Sequence, residues 1–280
     1  MADVIQQIIN DLKHIYSVRE ARNIALDVVQ QVTKWPRIQI LSGSSLKLTE
    51  EQGSLLKSFV ERLKRNEPIQ YVLGTTEFFG LTLKVDKRVL IPRPETEELV
   101  EWVLKDSKKE SRIIDLCTGS GCIAIALAKH LPEARISAYD LSVEALELAR
   151  ENGTQNNVDV DFFQADILVD DFAEHIPEMD IIVSNPPYVL EREKRQMQQN
   201  VLDFEPSMAL FVPDTNPMLF YEAIARIASS KLKSGGALFV EINQTFGKET
   251  ISLFENKGFC HVRLNNDLYG NARMVKAERC

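Results

Sequence analysis

The spacing of apolar positions changes near residue 68. Before it, apolar residues recur at helical spacing. Val4, Ile5, Ile8, Ile9 and Leu12 form one stripe, and Ala21, Ile24, Ala25, Val28, Val29 and Val32 form a second. Ser17-Val-Arg-Glu20 has the spacing of a capping box at the head of the second stripe. Pro36 and the Ser42-Gly43-Ser44-Ser45 cluster interrupt the run. Thr49-Glu-Glu-Gln52, a second capping box, opens a third stripe of Leu55, Leu56, Phe59, Val60 and Leu63. Striped helices without a chemistry-bearing cluster predict a small bundle. Residues 1–75 are therefore read as a helical docking domain.

After Pro68 the elements shorten. Glu77-Phe78-Phe79-Gly80-Leu-Thr-Leu-Lys-Val85 predicts a β-hairpin, which makes residues 76–90 a linker. In Leu90-Ile-Pro-Arg-Pro-Glu-Thr-Glu97 the prolines fix an extended approach. A helix with Leu99, Val100, Trp102, Val103 and Leu104 follows. From Arg112 onward strand and helix patterns alternate. Strands are expected at 113–116, 136–138, 158–163, 179–183, 237–242 and 262–265, and helices at 122–130, 142–152, 217–230 and 245–256. This alternation predicts an α/β domain over residues 91–280, a mostly parallel sheet with helices on both faces. Ligands in such sheets bind at the C-terminal ends of the strands.

Those ends carry the candidate chemistry. Asp115-Leu-Cys117-Thr118-Gly119-Ser120-Gly121-Cys-Ile-Ala124 follows a strand and opens a helix. Gly119-x-Gly121-x-x-Ala124 fits a nucleotide-binding turn, in which glycine permits close backbone approach. Asp140 ends the next strand, where a carboxylate can accept both hydroxyls of a ribose. Asp115 beside the glycine turn would repel a pyrophosphate and favour an ammonium group. With Asp166 after the third strand, the acidic ends favour S-adenosylmethionine over a dinucleotide.

A second corner lies at Val183-Ser184-Asn185-Pro186-Pro187-Tyr188. Two prolines stop the strand, because neither can donate a backbone hydrogen bond. Asn185 Oδ1 and the Pro186 carbonyl are acceptors, and a planar –NH2 group has two donors to match them. Tyr188 offers a flat face for such a group. An exocyclic base amine and a carboxamide both fit, so methyl transfer to nucleic acid or to protein stays open. A cofactor-binding scaffold without catalysis is a third reading.

Charge narrows the choice. Residues 1–75 hold ten Lys/Arg against eight Asp/Glu, and the remainder holds 23 against 33. An acidic catalytic half argues against a phosphate-tracking surface, so no direct nucleic-acid binding is expected. Cys117, Cys122, Cys260 and Cys280 show no zinc-ligand spacing and are expected as free thiols in a reducing, cytoplasmic setting. No apolar run approaches the roughly 20 residues that span a bilayer, so no membrane partner is expected.

These motifs together resemble the PrmC/HemK family of protein-(glutamine-N5) methyltransferases. The likeness is carried by Pro68-Ile-Gln-Tyr71-Val-Leu-Gly74, Glu77–Gly80, Leu90–Glu97, the glycine turn and Asn185-Pro-Pro-Tyr188. Glu205-Pro206, Leu232-Lys-Ser-Gly-Gly236, Glu241-Ile242 with Gln244, and Asp267-Leu-Tyr-Gly270 with Arg273 add to it. The resemblance implies a Rossmann-like S-adenosylmethionine-dependent methyltransferase fold behind a helical N-terminal domain. It implies class I peptide chain release factors as protein substrate, methylated on the glutamine side-chain nitrogen of their Gly-Gly-Gln tripeptide. It places the cofactor at Cys117, Thr118, Gly119, Ser120, Gly121, Asp140 and Asn185, and the substrate amide at Asn185, Pro186, Pro187 and Tyr188. The family often has an aromatic residue after Asp166, and Ile167 leaves only apolar contact with adenine. Phe211-Val-Pro-Asp-Thr-Asn216 stands where a glycine-rich loop is common.

Overall fold

Helical caps are where sequence and backbone agree first. The computed structural model describes residues 2–42 and 47–280. Helices α1 (Ala2–Leu12), α2 (Val18–Thr33), α3 (Arg37–Leu41), α4 (Glu50–Lys64) and α5 (Ile69–Leu73) make up the N-terminal part. Ser17 Oγ accepts from the Glu20 amide, and Thr49 and Gln52 close a complete capping box. Gly43, Ser44 and Ser45 of the expected break lie outside the described residues. The apolar stripes meet in one cluster that includes Leu12, Ala25, Val28, Leu63 and Val72. Arg62 grips Glu67 with two parallel bonds of 2.9 and 2.6 Å and also donates to the Tyr71 and Val72 carbonyls, which ties α5 to α4.

Met1–Thr75 and Gln198–Phe204 form one compact unit, and Thr76–Met197 with Glu205–Cys280 form the other. The hairpin of β1 (Thr75–Phe78) and β2 (Leu81–Lys84) falls almost wholly within the second unit. Phe79 and Gly80 both take positive φ, as a tight hairpin turn requires.

The second unit continues as α6 (Pro94–Asp106), β3 (Arg112–Leu116), α7 (Cys122–His130), β4 (Arg135–Asp140), α8 (Val143–Asn156), β5 (Asp161–Gln164) and β6 (Met179–Ser184). After β7 (Val189–Leu190), α9 (Gln199–Phe204) and β8 (Phe211–Val212) come α10 (Leu219–Lys231), β9 (Leu232–Glu241), α11 (Gly247–Asn256), β10 (Phe259–Asn266) and β11 (Ala272–Arg279). Seven strands pair in the order β10-β11-β9-β6-β3-β4-β5. The four pairings from β9 to β5 are parallel, and β11 runs antiparallel to both its neighbours. Alternate residues of a strand face opposite sides. Ile113 and Ile181 pack toward α6 and α7, while Ile114 and Ile182 pack toward α10 and α11. Chain order reverses direction at β3, between β4 and β6, and that switch opens a crevice at their C-terminal ends.

Several expected bounds move. The strand expected from 158 starts at Asp161, because Asn157 takes a left-handed backbone and Val158 still closes α8 through the Gly153 carbonyl. Strand β9 starts at Leu232, and its register shifts between Leu232 and Ala237. Gly236 is needed there, because a Cβ would lie 2.9 Å from the Asp180 carbonyl. Strand β11 was not anticipated, since Arg273, Lys276, Glu278 and Arg279 mask its apolar residues; pairing on both sides and the Lys276–Asp106 and Lys276–Glu278 contacts carry it.

The expectation of four free thiols is corrected. Cys117 and Cys122 are free, but Cys260 and Cys280 form a disulfide. Adjacent antiparallel strands bring them together, with Cα atoms 5.8 Å apart. Among the described residues no helix is long and apolar enough to cross a membrane.

Gly121 closes the glycine turn against its helix with no room for a side chain. Its φ is 80°, and a Cβ there would lie 2.9 Å from Ile125 Cδ1 and 3.1 Å from Ala149 Cβ. Gly121→Ala is expected to lower unfolding free energy by about 1–3 kcal/mol from overpacking alone. Urea unfolding checks this, and a loss below roughly 0.5 kcal/mol, the range of an ordinary surface change, contradicts it.

Candidate active site

The turn between β3 and α7 is built from left-handed backbone. Cys117, Gly119 and Gly121 have φ of 61°, 55° and 80°. Open space lies over Gly119, where a Cβ would meet nothing within 4 Å. A flat ligand can therefore approach that backbone closely. Beneath the turn Asp115 is fully buried and does not line the crevice. Its Oδ2 accepts from Thr118 Oγ1 at 2.6 Å, and its buried Oδ1 has no hydrogen-bond partner among the described residues. Burial pushes this carboxyl up to about 7. Ser120 is buried, and its carbonyl accepts from Asn152 Nδ2 at 3.0 Å.

Asp140 stands across the turn at the end of β4. One carboxylate oxygen accepts from the Gly119 amide at 2.8 Å and the other from the Ser142 amide at 2.9 Å. These bonds orient the side chain and leave a further lone pair on each oxygen for hydroxyl donors. Burial raises its proton affinity, and the backbone amides oppose that shift. Asp166 Oδ1 accepts from the Leu168 amide at 2.9 Å, so it shapes its own turn. Ile167 is buried on the crevice wall and presents an apolar surface.

Asn185 follows β6 beside the turn. Its Nδ2 donates to Thr96 Oγ1 at 3.1 Å. Among the described residues none donates to its Oδ1 or to the Pro186 carbonyl. Asn185 and Pro187 line the crevice; Pro186 is buried. Tyr188 does not line it: its ring packs against the core beneath α10, and its hydroxyl donates to Glu241 Oε1 at 2.9 Å.

Of these residues, Cys117, Thr118, Gly119, Ser120, Asp140, Asp166, Ile167, Asn185 and Pro187 line one crevice that opens to solvent. Its lining fits a nucleoside: a paired carboxylate for a diol, an apolar wall and a bare glycine. Motif reading missed several wall residues, including Leu141, Ala145, Met208 and Phe220, which no local pattern marks. It also missed how the rim is held. Arg93 pairs with buried Glu205 at 2.8 Å, and Glu205 accepts from the Ile91 amide. Pro94 is the first residue of α6, and Glu97 accepts from the Phe79 amide at 2.9 Å. Asn152 bonds both the amide and the carbonyl of Lys84, which locks the hairpin to α8 and the glycine turn.

Residues 3–74 match the PrmC N-terminal domain family, and residues 95–204 match the methyltransferase small domain family. The chain is 43% identical to a release factor glutamine methyltransferase of Flavobacterium psychrophilum, over 96% of each chain. It is 41% identical to one of Bacteroides thetaiotaomicron, again over 96% of each. Among solved structures, a methyltransferase from Pyrococcus furiosus superposes with a TM-score of 0.54 at 16% identity, covering 72% of this chain and 90% of that one. The Thermus thermophilus 16S rRNA N2 G1207 methyltransferase, in complex with AdoMet and guanosine, gives 0.51 at 17% identity, covering 74% and 50%. The two structures share the fold.

Proposed function

We infer from its site that this chain, which belongs to the release factor glutamine methyltransferase family, moves a methyl group from S-adenosylmethionine to the side-chain nitrogen of a release-factor glutamine. The glutamine is that of the Gly-Gly-Gln tripeptide. One observation carries the reading: Asn185, whose Oδ1 takes no donor among the described residues, lines the crevice beside the glycine turn, and the Pro186 carbonyl follows it in the chain, likewise without a donor among those residues.

Bound S-adenosylmethionine supplies an electrophilic methyl group on a sulfonium centre. The residues of the chain supply position. Asp140 offers lone pairs to the ribose hydroxyls, and the bare backbone at Gly119 lets the cofactor lie close. Ile167 covers an apolar face. A carboxamide nitrogen is a poor nucleophile, because its lone pair is delocalised into the carbonyl. Asn185 Oδ1 and the Pro186 carbonyl accept its two N–H groups and hold it in line with the methyl. Such alignment contributes up to about 7–11 kcal/mol in favourable cases. The same two dipoles stabilise the positive charge that develops on nitrogen. Tyr188 stiffens the corner from behind, and solvent suffices to take the proton.

Labelled S-adenosylmethionine, incubated with release factor, DNA or RNA, tests the reading. Label is expected in the release factor; label in nucleic acid alone contradicts it.

A single side chain buries too little surface to select one protein among many, so a second contact is required. The first unit supplies it in this reading. Ile38 and Leu41 on α3 are 74% and 51% exposed. Ile38→Asp combined with Leu41→Asp is expected to lower kcat/KM on intact release factor about tenfold, as loss of an apolar anchor does. Turnover of a short Gly-Gly-Gln peptide should not change. Unchanged kcat/KM on the intact factor removes this face from the contact.

A further inference from the structure

Asn185 can present either end of its amide to the crevice. Only the oxygen serves a substrate that brings two N–H donors; a flipped amide would set donors against donors. The chain must therefore specify the orientation, and a buried relay does so.

Strands β6 and β9 are parallel neighbours, with Ser184 paired to Val240. Asn185 and Glu241 thus leave the sheet side by side. Glu241 is 1% exposed. Its Oε2 accepts from Thr96 Oγ1 at 2.7 Å, and its Oε1 from the Tyr188 hydroxyl at 2.9 Å. Thr96, in the first turn of α6, is also 1% exposed. With each of its two oxygens facing a hydroxyl donor, Glu241 holds the single hydroxyl proton of Thr96, which leaves Thr96 Oγ1 with lone pairs alone. The group facing those lone pairs at 3.1 Å must donate, and that is Asn185 Nδ2. With Nδ2 committed inward, Oδ1 faces the crevice. Burial pushes the Glu241 carboxyl up from the usual range, and the Thr96 and Tyr188 hydroxyls and the Arg273 charge oppose that shift.

We propose that Glu241 and Thr96 are positioning residues, a hydrogen-bond relay that sets which end of the Asn185 amide meets the reacting nitrogen while also anchoring Tyr188. Glu241 does not line the crevice, and Thr96 reaches its wall with only 1% of its surface exposed. The proposal rests on the glutamine-methylation reading, and its test separates the two.

Thr96→Val keeps the shape of the side chain and removes the hydroxyl; Thr96→Ser restores it. For Thr96→Val, kcat on release factor should fall about 10- to 100-fold, the range for removing a group that orients a functional ligand. The Kd for S-adenosylmethionine should stay close to that of the parent chain, and the melting temperature should fall only by the cost of one lost buried hydrogen-bond partner. Thr96→Ser should recover most of the rate. Glu241→Gln places an N–H2 group against one of the two hydroxyls, and it should lose kcat with the same preserved cofactor affinity. The proposal is overturned if Thr96→Val turns over at nearly the parental rate, or if Thr96→Ser is no faster than Thr96→Val. A loss that tracks cofactor affinity or stability in all three variants also overturns it, since that is a packing role. If the parent chain itself fails to methylate release factor, the reading beneath the proposal falls; if the parent is active and Thr96→Val equally so, only the relay falls.

Discussion

Asn185→Ala is expected to methylate release factor about 10²–10³-fold more slowly than the parent chain, by analogy with removal of one aimed donor from an oxyanion hole. The effect should appear in kcat, because the missing acceptor acts most strongly as charge develops on the nitrogen. Cofactor affinity should largely persist, since Asp140, the glycine turn and Ile167 remain. The truncation also leaves Thr96 Oγ1 without its donor, so part of the loss reflects a loosened corner. Single-turnover kinetics with saturating cofactor provide the check. Turnover near the parental rate would remove Asn185 from the reaction.

The second large effect concerns Asp140. Its carboxylate has two tasks, holding the Gly119 and Ser142 amides and offering its other lone pairs to the cofactor hydroxyls. A hydrogen bond to a charged group contributes roughly 1.5–3 kcal/mol. Asp140→Ala should therefore weaken S-adenosylmethionine binding by about 100-fold or more, which corresponds to roughly 3 kcal/mol. Asp140→Asn should lose less, because it keeps one acceptor oxygen. Titration calorimetry on folded variants reads this directly. Affinity unchanged in Asp140→Ala would place the ribose elsewhere.

How much was legible beforehand follows from locality. The caps at Ser17 and Thr49 and the glycine turn are local patterns, and each stands where its pattern placed it. The prolines end β6 as expected, but Tyr188 turns into the core instead of offering its face to the crevice. The alternation of strands and helices gave the mostly parallel sheet, and two of the three acidic strand ends, Asp140 and Asp166, line the crevice. Long-range pairing was not legible. Strand β11 hides its apolar residues among charges and depends on neighbours on both sides. The Cys260–Cys280 bond depends on that same pairing. The Thr96–Glu241 contact joins residues 145 positions apart. Asp115 shows the other limit: a carboxylate at a strand end can point into the crevice or down into the core, and only packing decides which. Here it lies fully buried under the turn.

The most direct test of the central claim is to locate the transferred methyl group. Release factor is incubated with the enzyme and S-adenosylmethionine, digested, and its Gly-Gly-Gln peptide sequenced by tandem mass spectrometry. One methyl on the glutamine side-chain nitrogen is predicted, absent when Asn185→Ala is assayed over the same interval. A methyl on any other residue, or an unmodified glutamine beside methylated nucleic acid, would contradict the assignment of the two acceptors at Asn185 and Pro186.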